Sequence, residues 1–166
     1  MNQLLDSLTF EPSGGSLSLQ SARYFIVRPT LLVDLQKSIE ALLGHEAGQI
    51  MTQTAAIEGA ALAGRYRDAF GYSSEQVIGS VAFMLSELGW GAVSVEMTNL
   101  EGREMVFKVM ESPFAEPYGP STQPVCHLLL GTFQGIAMTI FESEATGMEV
   151  QCLAKGDSCC RFVVSA

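Results

Sequence analysis

The side chains of this chain that are best suited to chemistry are its four cysteines, which all lie in the last quarter of the sequence. Glu149 and Cys152 stand three residues apart, and after a Gly-Asp turn the chain returns with Cys159 and Cys160. A carboxylate and thiolates at this spacing can close around a metal ion, and Cys126 could supply the fourth ligand. Zinc prefers four-coordinate sites of this kind, and sites rich in thiolate are usually structural. The spacing therefore predicts one structural Zn²⁺ that ties a helix to a terminal hairpin.

Strand geometry limits how these residues can meet. Side chains three positions apart in a regular strand point to opposite faces, so Glu149 and Cys152 can share a metal only if a bulge or an irregular turn separates them. Adjacent strand residues also face opposite ways, so one of Cys159 and Cys160 faces the metal and the other faces the core.

Other assignments of these residues remain open. His127 could complete the site in place of Glu149, although in a helix its side chain points about 100° away from that of Cys126. The cysteines could also be small buried hydrophobic residues with no ligand. In a reducing compartment, clustered cysteines are more often metal ligands than disulfides.

Composition limits the function classes. The 166 residues are expected to form one small-molecule-binding domain, 1–166, with a sizeable core, since 48% are hydrophobic and 16% are charged. A formal net charge of −9 argues against nucleic acid as a partner. No apolar run is long enough to span a bilayer, and the N-terminus lacks the features of a signal peptide, so we expect a cytoplasmic protein.

The elements that must position the cysteines begin with an N-terminal half that is mainly helical. Residues 1–15 end in a Pro-Ser-Gly-Gly turn and are interpreted as a leader, before a short edge strand and a β-prone run at 24–27. Leucines and isoleucines recur at helical spacing from Pro29, with Gly44 as the C-cap. Residues 45–70 form one long helix or two broken ones.

The C-terminal half predicts strands and helices in alternation. A capping box of Ser73 with Gln76 begins a helix, and a hairpin with strands at 93–98 and 105–110 follows. A loop at 113–124 precedes a helix at 125–141, in which two glycines four residues apart are expected to let it approach a sheet. The terminal hairpin has strands at 148–153 and 159–164. The predicted fold class is α/β or α+β, with an antiparallel sheet packed with helices.

The spacing of Cys126, Glu149, Cys152 and Cys160 resembles that of the 4-vinyl reductase domain, also named the hydrocarbon-binding domain. The resemblance continues upstream through 111–115, 124–126, Gly131 and Gly135, back to 23–25 and the Gly44 region, and so covers nearly the whole chain. It implies that Cys160 rather than Cys159 is the ligand. It also implies a homodimer, since domains of this family commonly dimerise. The apolar stripes at 31–43 and 50–64 independently favour a dimer, because one small sheet cannot cover them.

The resemblance further implies an apolar cavity between the first hairpin and the zinc-bearing helix, where aromatic-sensing relatives bind their effector. Val109 stands where those sensors carry a larger aromatic side chain, which favours a more apolar or larger ligand than phenol. The alternative is that these residues are ordinary core. The candidate lining residues are Phe83, Trp90, Met97, Met105, Phe107, Val109, Phe133, Ile136, Met138 and Phe141.

Three functions follow as hypotheses. The first is a zinc-containing domain that binds a hydrophobic or aromatic small molecule as a sensor or carrier and leaves it chemically unchanged. It would act through a separate signalling or biosynthetic protein. The second is an accessory protein or reductase of tetrapyrrole or bacteriochlorophyll biosynthesis, although we find no motif for a nicotinamide or flavin electron donor. The third is a protein-interaction scaffold similar to the subunits of vesicle-tethering complexes.

Overall fold

A computed structural model describes residues 3–19 and 22–166 of the chain, and the N-terminal part of these residues forms a short helix, a small sheet and three longer helices. Strands β1, β2 and β3 pair antiparallel in that order. Helix α2 begins at Pro29, where the missing N–H needs no partner, and Ser73 with Gln76 forms the predicted capping box of α4. The elements are α1 (Gln3–Asp6), β1 (Leu8–Glu11), β2 (Ser16–Leu19), β3 (Ala22–Tyr24), α2 (Pro29–Leu43), α3 (Glu46–Phe70) and α4 (Ser74–Glu87).

The C-terminal part forms a four-stranded antiparallel sheet of order β4-β5-β7-β6, with a helix packed on one face. Its elements are β4 (Ala92–Asn99), β5 (Glu104–Met110), α5 (Ala115–Tyr118), α6 (His127–Phe141), β6 (Thr146–Gln151) and β7 (Cys160–Ser165). Antiparallel sheets packed with helices are the fold class that the sequence predicts.

The main core lies between this sheet and α6. Alternate residues of β5 and β7 point toward the helix, and the ring of Phe133 on α6 meets aromatic rings from both strands. The rings of Phe107 and Phe133 stack with centroids 4.2 Å apart, and Phe162 meets Phe133 edge-on at 5.1 Å. Period-two burial in the strands therefore produces an aromatic layer under α6.

Helix α3 covers the other side of α6, and glycines make this contact possible. A Cβ atom on Gly131 would overlap the carbonyl oxygen of Thr52, and one on Gly135 would overlap that of Ala56. The prediction that these glycines let the helix approach a sheet is therefore wrong about the partner, which is α3. A single 25-residue helix forms here, so the first of the two alternatives for 45–70 is confirmed.

Two predictions about the N-terminal region are wrong. The leader at 1–15, whose first two residues lie outside the described part, contains α1 and β1. Its Pro-Ser-Gly-Gly segment is the turn of a hairpin, because Glu11 pairs with Ser16 on the far side of it. The predicted edge strand is consequently β2, the middle strand of the small sheet.

Other boundaries differ in detail. The predicted loop at 113–124 includes the one-turn helix α5. In the terminal hairpin, β6 ends at Gln151, and a 3₁₀ turn at Leu153–Lys155 leads into the return strand. The chain leaves the strand here because the backbone must redirect Cys152, as described below.

We expect Gly135→Ala to lower the free energy of unfolding by about 1–3 kcal/mol or more, because the new methyl group meets the rigid backbone of α3. The matched control is Gly64→Ala in α3, where an added Cβ meets no heavy atom within 4 Å. That substitution should raise the free energy of unfolding by about 0.5–1 kcal/mol through helix propensity. Urea unfolding measures both, and equal effects would contradict this account of the α3–α6 contact.

Candidate functional site

The structure brings together the four residues that the sequence predicts as metal ligands. One ligand atom from each of Cys126, Glu149, Cys152 and Cys160 lies within 4.8 Å of the others, and all four residues are buried. The group includes neither His127 nor Cys159. The cluster sits where the start of α6 meets the β6–β7 hairpin, which are the elements that the predicted zinc was expected to tie together.

Glu149 is positioned by the helix that follows Cys126. The backbone N–H of Cys126 donates a 2.9 Å hydrogen bond to Glu149 Oε2, which satisfies one of the free N–H groups at the start of α6. Among the described residues, Glu149 Oε1 is a buried oxygen without a hydrogen-bond partner. An unsatisfied buried acceptor costs about 1–3 kcal/mol, more if charged, and a cation at the cluster would remove that cost.

An irregularity in β6 allows Glu149 and Cys152 to face the same point. The pairing of β6 with β7 shifts register between Glu149 and Gln151, which is the bulge that a shared metal requires. After the strand, the backbone N–H of Cys152 donates to Asp157 Oδ2 at 2.8 Å, and Gly156 adopts a left-handed φ of 90°. This tight turn returns the chain so that Cys160 lies beside Cys152.

The sulfur positions suit a tetrahedral metal site. Cys126 Sγ and Cys160 Sγ are 3.6 Å apart, and two thiolates on a tetrahedral Zn²⁺ would be roughly 3.7 Å apart, given Zn–S bonds of about 2.3 Å. The backbone N–H of Leu153 also points at Cys160 Sγ, at 3.4 Å. Sulfur that receives a backbone N–H is favoured in its thiolate form. The donor set thus fits a metal ion.

The electrostatics of the cluster show why it needs a cation. Hydrogen bonds from the Cys126 and Cys160 thiols hold the pKa of Cys152 far below its usual range. The bond to Cys152, the contact with Cys160 and burial raise the pKa of Cys126. For Cys160 the bond with Cys126 lowers the pKa, but the bond to Cys152 and burial together raise it. Burial and the neighbouring Cys152 thiolate raise the pKa of Glu149 to about 8. These raised values indicate that only a bound cation would allow all four groups to ionise together.

The residues adjacent to the cluster have separate environments. The imidazole of His127 faces away from the cluster and lies against Gly48 of α3, with Nε2 at 4.0 Å from Glu40 Oε1. Burial lowers the pKa of His127. Cys159 is buried on the opposite side of the strand from Cys160, where its thiol donates to Gln151 Oε1 at 3.5 Å. These positions agree with the face alternation expected from the sequence.

The candidate pocket residues do not share one environment. Five of them are fully buried in the layer between the sheet and α6, namely Met105, Phe107, Val109, Phe133 and Ile136, and Phe141 is nearly so. Trp90 packs edge-on against Phe114 with centroids 5.5 Å apart, and Met97 is half-buried. Phe83 is 55% exposed on α4. The stacked rings occupy the space in which the sequence predicts a cavity.

A surface groove of about 990 Å³ runs instead along α3, α6 and the segment before β6. Both histidines of the chain line it, together with Thr52, Leu130 and Met138 among others. Met138 is therefore the pocket candidate that faces an open space. Sequence reasoning missed this groove because its lining residues mix polar and apolar types and come from segments about 70 positions apart.

Comparison with known proteins places the site in a family context. Residues 105–166 match the family model of the vinyl-4-reductase domain, so the predicted resemblance is confirmed for the part of the chain that carries the ligand cluster. No curated protein matches the chain. Within the described residues, every helix is too short or too polar to cross a membrane.

Three solved structures share the fold. The phenol-responsive sensory domain of the transcription activator PoxR, with phenol, matches 98% of this chain and 86% of its own, with a TM-score of 0.81 and 21% identity. A vinyl-4-reductase family protein from Methanocaldococcus jannaschii matches 88% of this chain and 84% of its own, with a TM-score of 0.59 and 16% identity. Subunit 3 of a trafficking protein particle complex from Naegleria fowleri, covalently bound to palmitic acid, matches 82% and 93%, with a TM-score of 0.56 and 13% identity.

Metal binding to the cluster is expected to strengthen as the pH rises, because protons on the ligands must leave before an ion can bind. Glu149, with its pKa raised from 4.5 to about 8, keeps its proton in the metal-free protein over most of this range. The apparent affinity should therefore increase by about tenfold or more per pH unit between about pH 6 and pH 8. Competition with a chelator measures this, and a constant affinity would contradict the assigned ligands.

Proposed function

We propose that the chain, with its vinyl-4-reductase domain match over 105–166, is a zinc-containing domain that binds a hydrophobic or aromatic small molecule and leaves it chemically unchanged. The observation that carries the proposal is the buried set of three thiols and a carboxylate at the start of α6, the helix that forms one wall of the apolar core. The fold similarity to a phenol-responsive sensory domain supports a sensory or carrier role. We treat 1–166 as a single domain and, from its free cysteines, as cytoplasmic.

In this proposal the zinc is structural. Four protein ligands fill a tetrahedral shell, so the position that a catalytic zinc keeps for water is occupied. Cys126 belongs to α6, Glu149 and Cys152 to the end of β6, and Cys160 to the start of β7. A metal held by these residues would therefore lock the helix onto the edge of the sheet, and chelation would release it.

The proposed ligand would bind between β5 and α6. The side chains there are almost entirely apolar, and apolar cavities with few polar groups are typical of small-molecule sites. Because Phe107 and Phe133 already stack against each other, a ligand must separate the rings or replace one of them. Such a displacement would move α6 relative to the sheet, which is the movement that a sensor needs in order to report binding.

We further propose that the protein is a homodimer through α2 and α3. Leu31, Leu35 and Leu42 on α2 are 60%, 54% and 83% exposed, and Ile57 on α3 is also exposed. The buried positions of α2 are instead Val33 and Gln36. The apolar stripe therefore lies on the outside of the protomer, where a second copy would cover it. The same surface favours the alternative of a protein-interaction scaffold. The accessory or reductase role in tetrapyrrole metabolism would require an electron donor from another protein.

The metal assignment predicts one zinc per chain in the purified protein, and loss of that zinc in Cys160→Ser, with a lower melting temperature because metal binding stabilises the folded state. Cys159→Ser is the matched control, since the adjacent thiol lies outside the cluster and zinc should be retained. Metal analysis by mass spectrometry measures the occupancy. Full occupancy in Cys126→Ser, Cys152→Ser and Cys160→Ser alike would refute the assignment.

The dimer predicts twice the chain mass in light scattering at micromolar concentration. Replacing both Leu35 and Leu42 by Glu should produce monomers, because the charges would be buried at the interface. Met148→Glu, at a residue that is 65% exposed on β6, is the control that should remain dimeric. A monomeric wild-type protein would contradict the proposal.

The ligand proposal predicts a hit in a thermal-shift screen of aromatics, lipids and porphyrins. Binding should stabilise the protein by about 2.7 kcal/mol at a hundredfold excess over the dissociation constant. Phe107→Leu should reduce the shift without loss of zinc, whereas Phe83→Leu, on the exposed face of α4, should not. The absence of any hit would argue against binding, and consumption of a hit over multiple turnovers would argue against a non-catalytic role.

A further inference from the structure

A buried serine contacts the ligand cluster from a part of the chain that supplies no ligand. Ser112 is fully buried, and its Oγ lies 3.3 Å from Cys126 Sγ. It stands between the end of β5 and the short helix α5. Its hydroxyl is a polar group inside a core cluster of otherwise apolar side chains, so its hydrogen bonds decide whether it can remain there.

The backbone at the end of β5 directs this side chain inward. Glu111 has a φ of +55°, in the left-handed region that non-glycine residues rarely adopt, and it turns the chain sharply after Met110. Gly91 packs against this corner, where an added Cβ would lie 2.7 Å from the carbonyl oxygen of Met110. The corner is thus held in place from both sides, and Ser112 points toward Cys126 as a consequence.

The remaining bonds of the hydroxyl determine its orientation. The backbone N–H groups of Phe114 and Ala115 both point at Ser112 Oγ, at 3.4 Å and 3.3 Å. A hydroxyl has one proton to donate and two lone pairs to accept with, and these two N–H groups take up both lone pairs. The proton is then left for the Cys126 sulfur, and a metal-bound thiolate has no proton of its own to offer in return.

We propose that Ser112 is a positioning residue of the metal centre, which donates its hydroxyl proton to the Cys126 thiolate and orients that ligand toward the ion. This inference rests on the proposed metal site. It joins the end of β5, which carries Val109 of the candidate ligand wall, to the metal through two residues. A change in the path of β5 on ligand binding would consequently alter a hydrogen bond to a metal ligand, and groups in such positions tune metal affinity.

The test uses the full chain loaded with Co²⁺, whose thiolate charge-transfer absorption reports the electron density on sulfur. Ser112→Ala removes the hydroxyl, so the band should move to lower energy and Co²⁺ affinity should fall by about 10–100-fold. Ser112→Thr keeps a hydroxyl and should restore the wild-type band. The matched control is Ser86→Ala, which removes a hydroxyl bonded to Val93 N and Ala82 O between α4 and β4.

The outcomes separate this inference from the proposed metal site. A wild-type protein without a thiolate charge-transfer band would overturn the metal site, and this inference with it. A wild-type band that Ser112→Ala shifts no more than Ser86→Ala does would overturn the role of Ser112 alone. If Ser112→Ala fails to fold, NMR of the cadmium-loaded wild-type protein decides the question. A slowly exchanging Ser112 hydroxyl proton coupled to cadmium is expected, and one that exchanges freely with water would overturn the proposal.

Discussion

The structure depends on the burial of one carboxylate beside three thiols. Glu149 receives a backbone N–H on one oxygen and has a buried second oxygen without a hydrogen-bond partner among the described residues. The burial of several ionisable groups of like charge is unfavourable unless an opposite charge lies among them. The bulge in β6, the tight turn at Gly156 and the position of Cys126 at the start of α6 all place donor atoms around a single point. A cation at that point is the simplest way to stabilise the arrangement.

A second constraint determines where α6, and with it Cys126, can lie. Gly131 and Gly135 allow the backbone of α6 to approach the carbonyl groups of α3, while Phe133 and Ile136 face the sheet. The helix is therefore held between a polar backbone surface and an aromatic layer. Neither contact tolerates a shift of the helix, because protein interiors are close-packed. The ligand cluster at one end of α6 and the aromatic layer beneath it thus belong to one mechanical unit.

This coupling gives physical content to the proposed sensory role. The apolar space that relatives use for an effector is occupied here by the stacked rings of Phe107 and Phe133. A ligand that enters must move a packed element, and packed cores move between discrete arrangements instead of deforming smoothly. The metal cluster would hold the start of α6 while the remainder of the helix responds. The exposed apolar stripe on α2 provides a separate surface through which a second copy could receive that response.

The ligand set follows from the sequence alone, because thiol and carboxylate groups at family spacing restrict the chemistry before any fold is known. The helices at 29–43 and 74–87 and the strands of the first hairpin are also apparent from periodicity and capping, since those signals are local. The leader is misassigned because β1 is stabilised by pairing with β2, which no local pattern of residues 8–11 reveals. The partner of Gly131 and Gly135 is missed because a glycine in a helix indicates close approach without indicating what approaches. The filled aromatic layer, the exposed stripe of α2 and the contact of Ser112 with Cys126 are decided by tertiary structure, since each depends on which residues distant in sequence meet across the core.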